Sequence, residues 1–341
     1  MRSARLRRAL WGAGGTPALL FALAIPIHGE TIAVTSRGIV VAHPNTIELF
    51  DARGRELLWR AEGVAHPSRI VVSADRVAVL DPLADEVRIV ELANGRGTTS
   101  RTRETPIDGV FVGRELYVLD RDARVVERVR DHAVVQTGPD PAFLREANGV
   151  LYVYTRGDGV VSEIAATPFA MRRTASVAPF ASDFEIDAKN GYLVFPRSGK
   201  IRFVSLRDMK ASGEIPIGAV PVDVAFAGGG SAITARTLAV ADPAAKRVWL
   251  IEGQQSFGEA VARGFLRGLL GLGLYSGGKS QFPTGVDRVF RGFAYDSASG
   301  TLYRYTKSAS AAVAKGIGPQ EFALTDAGVV VWESGRLRML D

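Results

Sequence analysis

From about residue 30 onward apolar side chains alternate with polar ones in short runs, and each run is closed by Asp, Gly or a cluster of charges. Alternation over roughly four to eight residues is the pattern of a β-strand with one face buried. Two segments show it best, RIVVSADRVAVLDPLADEVRIVEL (69–92) and DGVFVGRELYVLDRDARVVERV (108–129). Each reads as a short strand, a polar turn, a strand ending in Leu-Asp, a charged turn and a third strand. Asp81 and Asp120 stand where the second turn begins, so each carboxylate is placed to accept backbone N–H groups of that turn.

The unit recurs about every 35 to 40 residues, the spacing of propeller blades. Its starts are Thr31, Arg69, Asp108, Phe143, Asp183, Asp223, Gly292 and Glu321. The pattern therefore predicts an all-β chain folded as a single β-propeller of seven or eight four-stranded blades. The repeat count favours eight, and fusion of the two weak C-terminal units would give seven. The copy at 222–252 is among the clearest and that at 292–320 is abbreviated. The last copy has room for three strands, with residues before Thr31 available to supply a fourth. A ring leaves only short, protected strand edges. A β-sandwich would alternate as well, but it would not repeat at this period.

One stretch breaks the pattern. Between the sixth and seventh units, at 254–288, Phe257, Val261, Phe265, Leu269 and Leu272 recur at three- and four-residue steps, which predicts an amphipathic helical insertion. Glycines at 258, 264, 268, 271 and 273 weaken such a helix in isolation, so it needs a surface to lie on. That surface is the propeller itself, a protein partner, or a lipid interface contacted peripherally.

Composition narrows the setting. Apolar residues make up 47% and charged residues 23% of the 341, a globular balance. There is no Cys, which excludes disulfides, thiolate metal sites and thiol catalysis. The net charge of +6 overstates the basic character, because Arg2, Arg5, Arg7 and Arg8 belong to a cationic N-terminal segment with no acid before Glu30. Without residues 1–29 there remain 38 basic against 36 acidic side chains, too even for nucleic-acid binding by clustered charge. Met1–Arg8 followed by PALLFALAIPI (17–27) reads as a Sec-type signal sequence. It implies a periplasmic or secreted protein with residues 30–341 forming the propeller; an uncleaved N-terminal membrane anchor is the rival reading.

With these features in view, LAVADPAAKRVWLIE (238–252) and RVAVLDPLADEVRIVEL (76–92) resemble the YVTN-type and NHL-type repeats of exported bacterial propellers. ELFDARGRELLW (48–59) is similar to a quinoprotein-type repeat. The resemblance covers about residues 31–341 and implies an architecture, not one activity. Similarity to propeller lactonases would imply a central divalent metal held by Glu, Asn and Asp. The asparagines here, Asn45, Asn94, Asn148 and Asn190, all fall in predicted turns, which weighs against it. A cofactor-binding quinoprotein would show its signature in several blades.

The repeat phase supplies the candidate site. First strands line the channel, so their opening residues gather near one mouth: Arg69, Asp108, Asp183, Asp223 and Glu321, with Arg291 beside the seventh start. Asp108, Asp183, Asp223 and Glu321 could hold Ca²⁺ or Mg²⁺ through hard oxygen ligands, or an organic cation. The structural alternative is that each acid binds backbone N–H groups of its own or the next blade. His28, His43, His66 and His132 are scattered and read as surface residues. GLYSGGKS (273–280) matches the P-loop pattern, but it lacks the strand before and the helix after that phosphate binding needs. No cofactor is expected. The leading functional reading is a non-enzymatic module binding a protein partner or small ligand. The alternative is a metal-dependent hydrolase or lyase using the acidic channel, and the question of catalysis stays open, leaning against it.

Overall fold

The structure is a computed structural model that describes residues 31–217, 220–226, 237–252, 279–290, 293–305, 310–318, 322–325, 328–333 and 336–340. Within these, the chain builds seven four-stranded antiparallel blades and one three-stranded sheet, each made of consecutive strands. The inner strands of the blades are, in order, Ile32–Thr35, Arg69–Val72, Pro106–Val112, Pro141–Ala147, Asp183–Ile186, Asp223–Phe226 and Arg288–Phe290. Phe322–Thr325, Gly328–Glu333 and Arg336–Leu340 form the last sheet. No eighth four-stranded blade is formed among the described residues. Residues before Thr31, proposed as a source of a further strand, lie outside them.

The period-two pattern explains why the sheets close on one another. In the second strand of blade 2 (Arg76–Asp81), Val77 and Val79 pack with Val40, Ile47 and Leu49 of blade 1. Their neighbours Ala78 and Leu80 pack with Leu116 and Val118 of blade 3. Alternate residues thus feed two different seams, and every blade is sandwiched between two others. The closing seam obeys the same rule: Val330 of the last sheet meets Ile32, Ile39 and Val41 of blade 1. Apolar burial between blades, not within them, is the main source of cohesion.

The turns follow from the same repeat. In blades 2, 3 and 6 the turn after the second strand puts a non-glycine residue in the left-handed region, Asp85 (φ 55°), Arg124 (φ 56°) and Lys246 (φ 51°). Blades 4, 5 and 7 place Gly159, Gly199 and Gly300 there. Asp81 accepts from the N–H groups of Leu83 and Ala84, both at 3.0 Å, as the sequence predicted. Asp120 makes no such bond.

Two corrections concern the insertion. Lys279–Gln281 is the outer strand of blade 6, paired with Arg247–Trp249, and Arg288–Phe290 is the inner strand of blade 7. The span 254–288 was therefore too long, and blade 7 starts before Gly292. The sequence pattern failed here because a three-residue strand carries almost no alternation. Phe257, Val261, Phe265, Leu269 and Leu272 lie outside the described residues, and those residues contain no α-helix, only a 3₁₀ turn at Pro196–Ser198. No described helix is long and apolar enough to cross a membrane. The P-loop match likewise ends in strand, since Lys279 and Ser280 pair with Trp249 and Val248.

The seam model makes a direct prediction. Ile39→Ala, at a fully buried position of the closing seam, will cost about 2–5 kcal/mol in urea unfolding. Val134→Ala, at a 40% exposed outer-strand position, will change stability by no more than about 0.5 kcal/mol.

Candidate functional site: the channel mouth

The inner strands bring the predicted residues into one register. Asp108 of blade 3 accepts from Leu144 N at 2.9 Å, Asp183 of blade 5 from Val224 N at 2.9 Å, and Asp223 of blade 6 from Val289 N at 2.7 Å. In each case a carboxylate binds the backbone of the next blade, one residue past its own repeat equivalent. Asp108 and Asp183 also accept from the N–H that follows them, Gly109 at 2.8 Å and Phe184 at 2.7 Å. The acids therefore do hold blade to blade. Arg69 fills the same position in blade 2 and reverses the polarity, its guanidinium donating to Asp108 at 3.0 Å while only 2% exposed. Arg288, not Arg291 or Gly292, is the equivalent residue of blade 7; Arg291, Gly292 and Glu321 lie outside the described residues.

Two site residues escaped sequence reasoning. Arg145 and Glu185 stand two places beyond the opening residues of blades 4 and 5, where blades 2, 3 and 6 have Val71, Val110 and Ala225. A charged side chain at a repeat position that is otherwise apolar was the available signal. Arg145 is the hub. Its Nη1 lies 3.0 Å from Asp108, its Nη2 3.8 Å from Asp183 and its Nε 3.7 Å from Glu185. The same Nη1 also donates to Leu144 O at 3.0 Å. Burial alone would lower the Arg145 pKa, but the carboxylates of Asp108, Glu185 and Asp183 outweigh it and hold the guanidinium above its usual value.

The acids respond in the opposite direction. Burial, with Asp183 nearby, pushes Glu185 up to about 7 even though Arg145 opposes the shift. Burial and Asp183 raise Asp223 well above the usual carboxylate range. The strain arises because the carboxylates outnumber the guanidinium groups available to them at low dielectric.

In front of this network lies a cavity of about 410 Å³. Its floor is made by Phe143, Arg145, Asp183, Glu185 and Asp223 of the inner strands, joined by Arg288. Its rim comes from turns on one face of the ring: Arg121 and Arg156 after second strands, Asp140 and Asp287 before inner strands. Two cations approach the Phe143 ring, with Arg145 Cζ 5.6 Å and Arg156 Cζ 5.8 Å from its centroid. Five carboxylates thus face four guanidinium groups around the opening, and Arg145 is already shared with Asp108.

As metal ligands, Asp108, Asp183 and Asp223 would have to give up bonds that hold blades together. Among the described residues, no group of three or more His, Asp or Glu side chains converges in a way that could hold a metal ion. Asn45, Asn94 and Asn148 sit in turns as expected, while Asn190 opens a strand of blade 5. His43 is not a surface residue: its side chain is 27% exposed, its ring lies 4.4 Å from that of Trp332, and burial lowers its pKa.

Comparison with known proteins agrees with this architecture. No family model matches the chain, and no curated protein does. Among solved structures, the computationally designed protein Ika8 is similar over 91% of this chain and 95% of its own, at 10% identity and a TM-score of 0.61. The dihydro-heme d1 dehydrogenase NirN, solved in complex with DHE, is similar over 65% of this chain at 17% identity and a TM-score of 0.52. The match spans about half of NirN, 55% of its length. Hsv2 from Kluyvelomyces marxianus is similar over 68% of this chain and 79% of its own, at 8% identity and a TM-score of 0.50. At these identities the likeness shows the fold alone: the chain is a β-propeller.

The hub is testable by removing it. Arg145→Met leaves Asp108, Asp183 and Glu185 facing one another in a buried site, and will cost about 3–5 kcal/mol near pH 8. The deficit will shrink as pH is lowered from about 8 to 7, because without Arg145 the Glu185 carboxyl takes up its proton at a higher pH than in the wild type, where it does so at about 7. Urea unfolding at the two pH values decides it, and an equal deficit at both would show that Arg145 is not the counter-charge.

Proposed function

We propose that this chain is a binding propeller, acting outside the cytoplasm, that takes a small ligand or an exposed side chain bearing an ammonium or guanidinium group into its channel mouth. The observation that carries this reading is the cavity in front of Arg145, on which the carboxylates of Asp183, Glu185 and Asp223 converge. Ligand sites are concave, partly apolar and supplied with a few converging polar groups, and this opening combines the Phe143 ring with Glu185 and Asp223. A cation seated beside Glu185 would supply the charge that the network lacks. The periplasmic or secreted location rests on the leader-like segment Met1–Gly29. The resemblance to YVTN-type and NHL-type repeats supports the same setting.

Agmatine, which carries both kinds of cationic group, is a suitable probe. Calorimetric titration should show one saturable site, tightening as pH rises through about 7, where Glu185 loses its proton. Glu185→Gln should weaken binding at least about tenfold, the loss of one charge-assisted contact. Succinate should not bind. Saturable binding of succinate in place of agmatine would reverse the charge assignment, and no binding of either probe would remove the mouth as a small-ligand site.

A further inference from the structure

The strongest feature outside the mouth is in blade 3, at the seam with blade 2. An Asp ends the second strand in four blades, at Asp81, Asp120, Asp242 and Asp296, and three of these are fully served. Asp81 accepts from His66 N at 2.8 Å besides its two turn amides. Asp242 accepts from Ala245 N at 3.0 Å, Val220 N at 3.3 Å and Trp249 Nε1 at 3.1 Å. Asp296 accepts from Ala298 N at 3.0 Å and the Ser299 hydroxyl at 2.6 Å. Asp120 is fully buried, yet neither of its oxygens accepts a hydrogen bond of good geometry, and the nearby Thr102 hydroxyl is equally unserved. The turn is not the cause, because Arg124 keeps the left-handed conformation seen in blades 2 and 6.

The difference lies seven residues on, in the third strand. Blades 2, 6 and 7 have Arg88, Trp249 and Tyr303 at that position, all of them hydrogen-bond donors, and Trp249 gives its N–H to Asp242. Blade 3 has Glu127, also fully buried. Glu127 accepts from Arg103 N at 2.9 Å and lies 2.6 Å from His132 Nδ1. Arg103, in the link from blade 2, also donates to His132 O at 3.3 Å. Two acids therefore meet in a closed seam whose facing groups are Thr102 and Arg103 from blade 2, and His132 from the turn that also holds the Arg128–Asp131 pair. A buried carboxylate left against a second one is costly, and a proton between them removes the cost.

We infer that Asp120 and Glu127 share a single proton in the folded protein, and that releasing this proton at raised pH loosens the seam between blades 2 and 3. With Asp120 protonated, its hydroxyl donates to Glu127 and its other oxygen is free to accept from Thr102. Glu127 stays anionic between Arg103 N–H and His132. The direction of the Asp120 shift agrees: burial, then Glu127, push it up to about 8. The sign of the linkage follows. Unfolded, Asp120 loses its proton near the ordinary carboxylate value, whereas folded it keeps it to about 8, so its contribution to stability is fully present at low pH and declines as pH rises. Arg121, the next residue, lies on the rim of the mouth, so the seam that loosens is the one behind that rim. The inference itself does not depend on the mouth binding anything.

The test compares wild type with Asp120→Asn, which mimics the protonated acid. The ratio of their unfolding constants should shift about tenfold per pH unit between about pH 5 and 8, the wild type losing ground as pH rises. Taking the ratio removes the contributions of Glu185 and Asp223, which both proteins share. Infrared difference spectra of wild type against the variant should show the carbonyl band of a protonated carboxyl at pH 7. Amide exchange at Arg103, corrected for its intrinsic rate, should quicken above about pH 8 in wild type only. If Asp120→Asn does not fold, Glu127→Gln replaces it in the same comparison, and the carboxyl band is sought in the wild-type spectrum alone across the pH range. A ratio independent of pH, or no protonated carboxyl at pH 7, overturns the shared proton; unchanged Arg103 exchange overturns the loosening of the seam.

Discussion

Blades 2 to 3, 3 to 4, 5 to 6 and 6 to 7 of this ring are held together by a bond that recurs along the channel wall, from a side chain opening one inner strand to the backbone or charge of its neighbour. Asp108, Asp183 and Asp223 each reach the amide one residue past the equivalent position in the following blade. Such bonds satisfy backbone groups that face the channel on strands with no further partner on that side. They also fix the vertical offset between blades, and apolar residues of the seams then fall opposite one another. The hydrophobic clusters account for most of the cohesion, but their register depends on these few polar contacts.

That constraint explains the chemistry of the mouth. A wall built from carboxylates accumulates negative charge as the blades converge, and burial makes the charge expensive. Blade 2 answers with Arg69 and blade 4 with Arg145, both turned toward Asp108. Arg145 offsets Glu185 and Arg288 offsets Asp223 only in part, so both carboxyls remain with pKa values driven upward by burial. The same surplus of negative charge is what would favour a cationic guest. On the proposed reading, structural bonding and ligand chemistry belong to one set of side chains.

Blade 3 shows how a repeat acquires a private property. Its backbone turn matches those of blades 2 and 6, and its Asp occupies the same place. With Glu127 in the adjacent strand, where blade 6 has the donor Trp249, the turn cap becomes a proton-holding pair. The change is visible only against the other copies, because Asp and Glu in a charged turn would otherwise pass for solvated residues.

Much of the architecture was determined by the chain alone. Period-two alternation specified strands, the longer period specified blades, and the phase of that period placed Arg69, Asp108, Asp183 and Asp223 in one ring. Asp81 as a turn acceptor was equally legible, since its partners are two and three residues away. The start of blade 7 was not, because Arg288–Phe290 is too short to show alternation and follows a stretch that breaks the repeat. Nor was the role of Arg145, Glu185, Asp120 or Glu127. Arg145 and Glu185 depend on the side chains that meet them across seams, with 37 residues between Arg145 and Asp108, and Asp120 depends on Glu127 in the adjacent strand, which itself accepts from the backbone of Arg103 in the link from blade 2, 24 residues away. Local pattern encodes the strand and its buried face, but the charge a buried side chain must meet is set by another blade, and only the closed ring brings the two together.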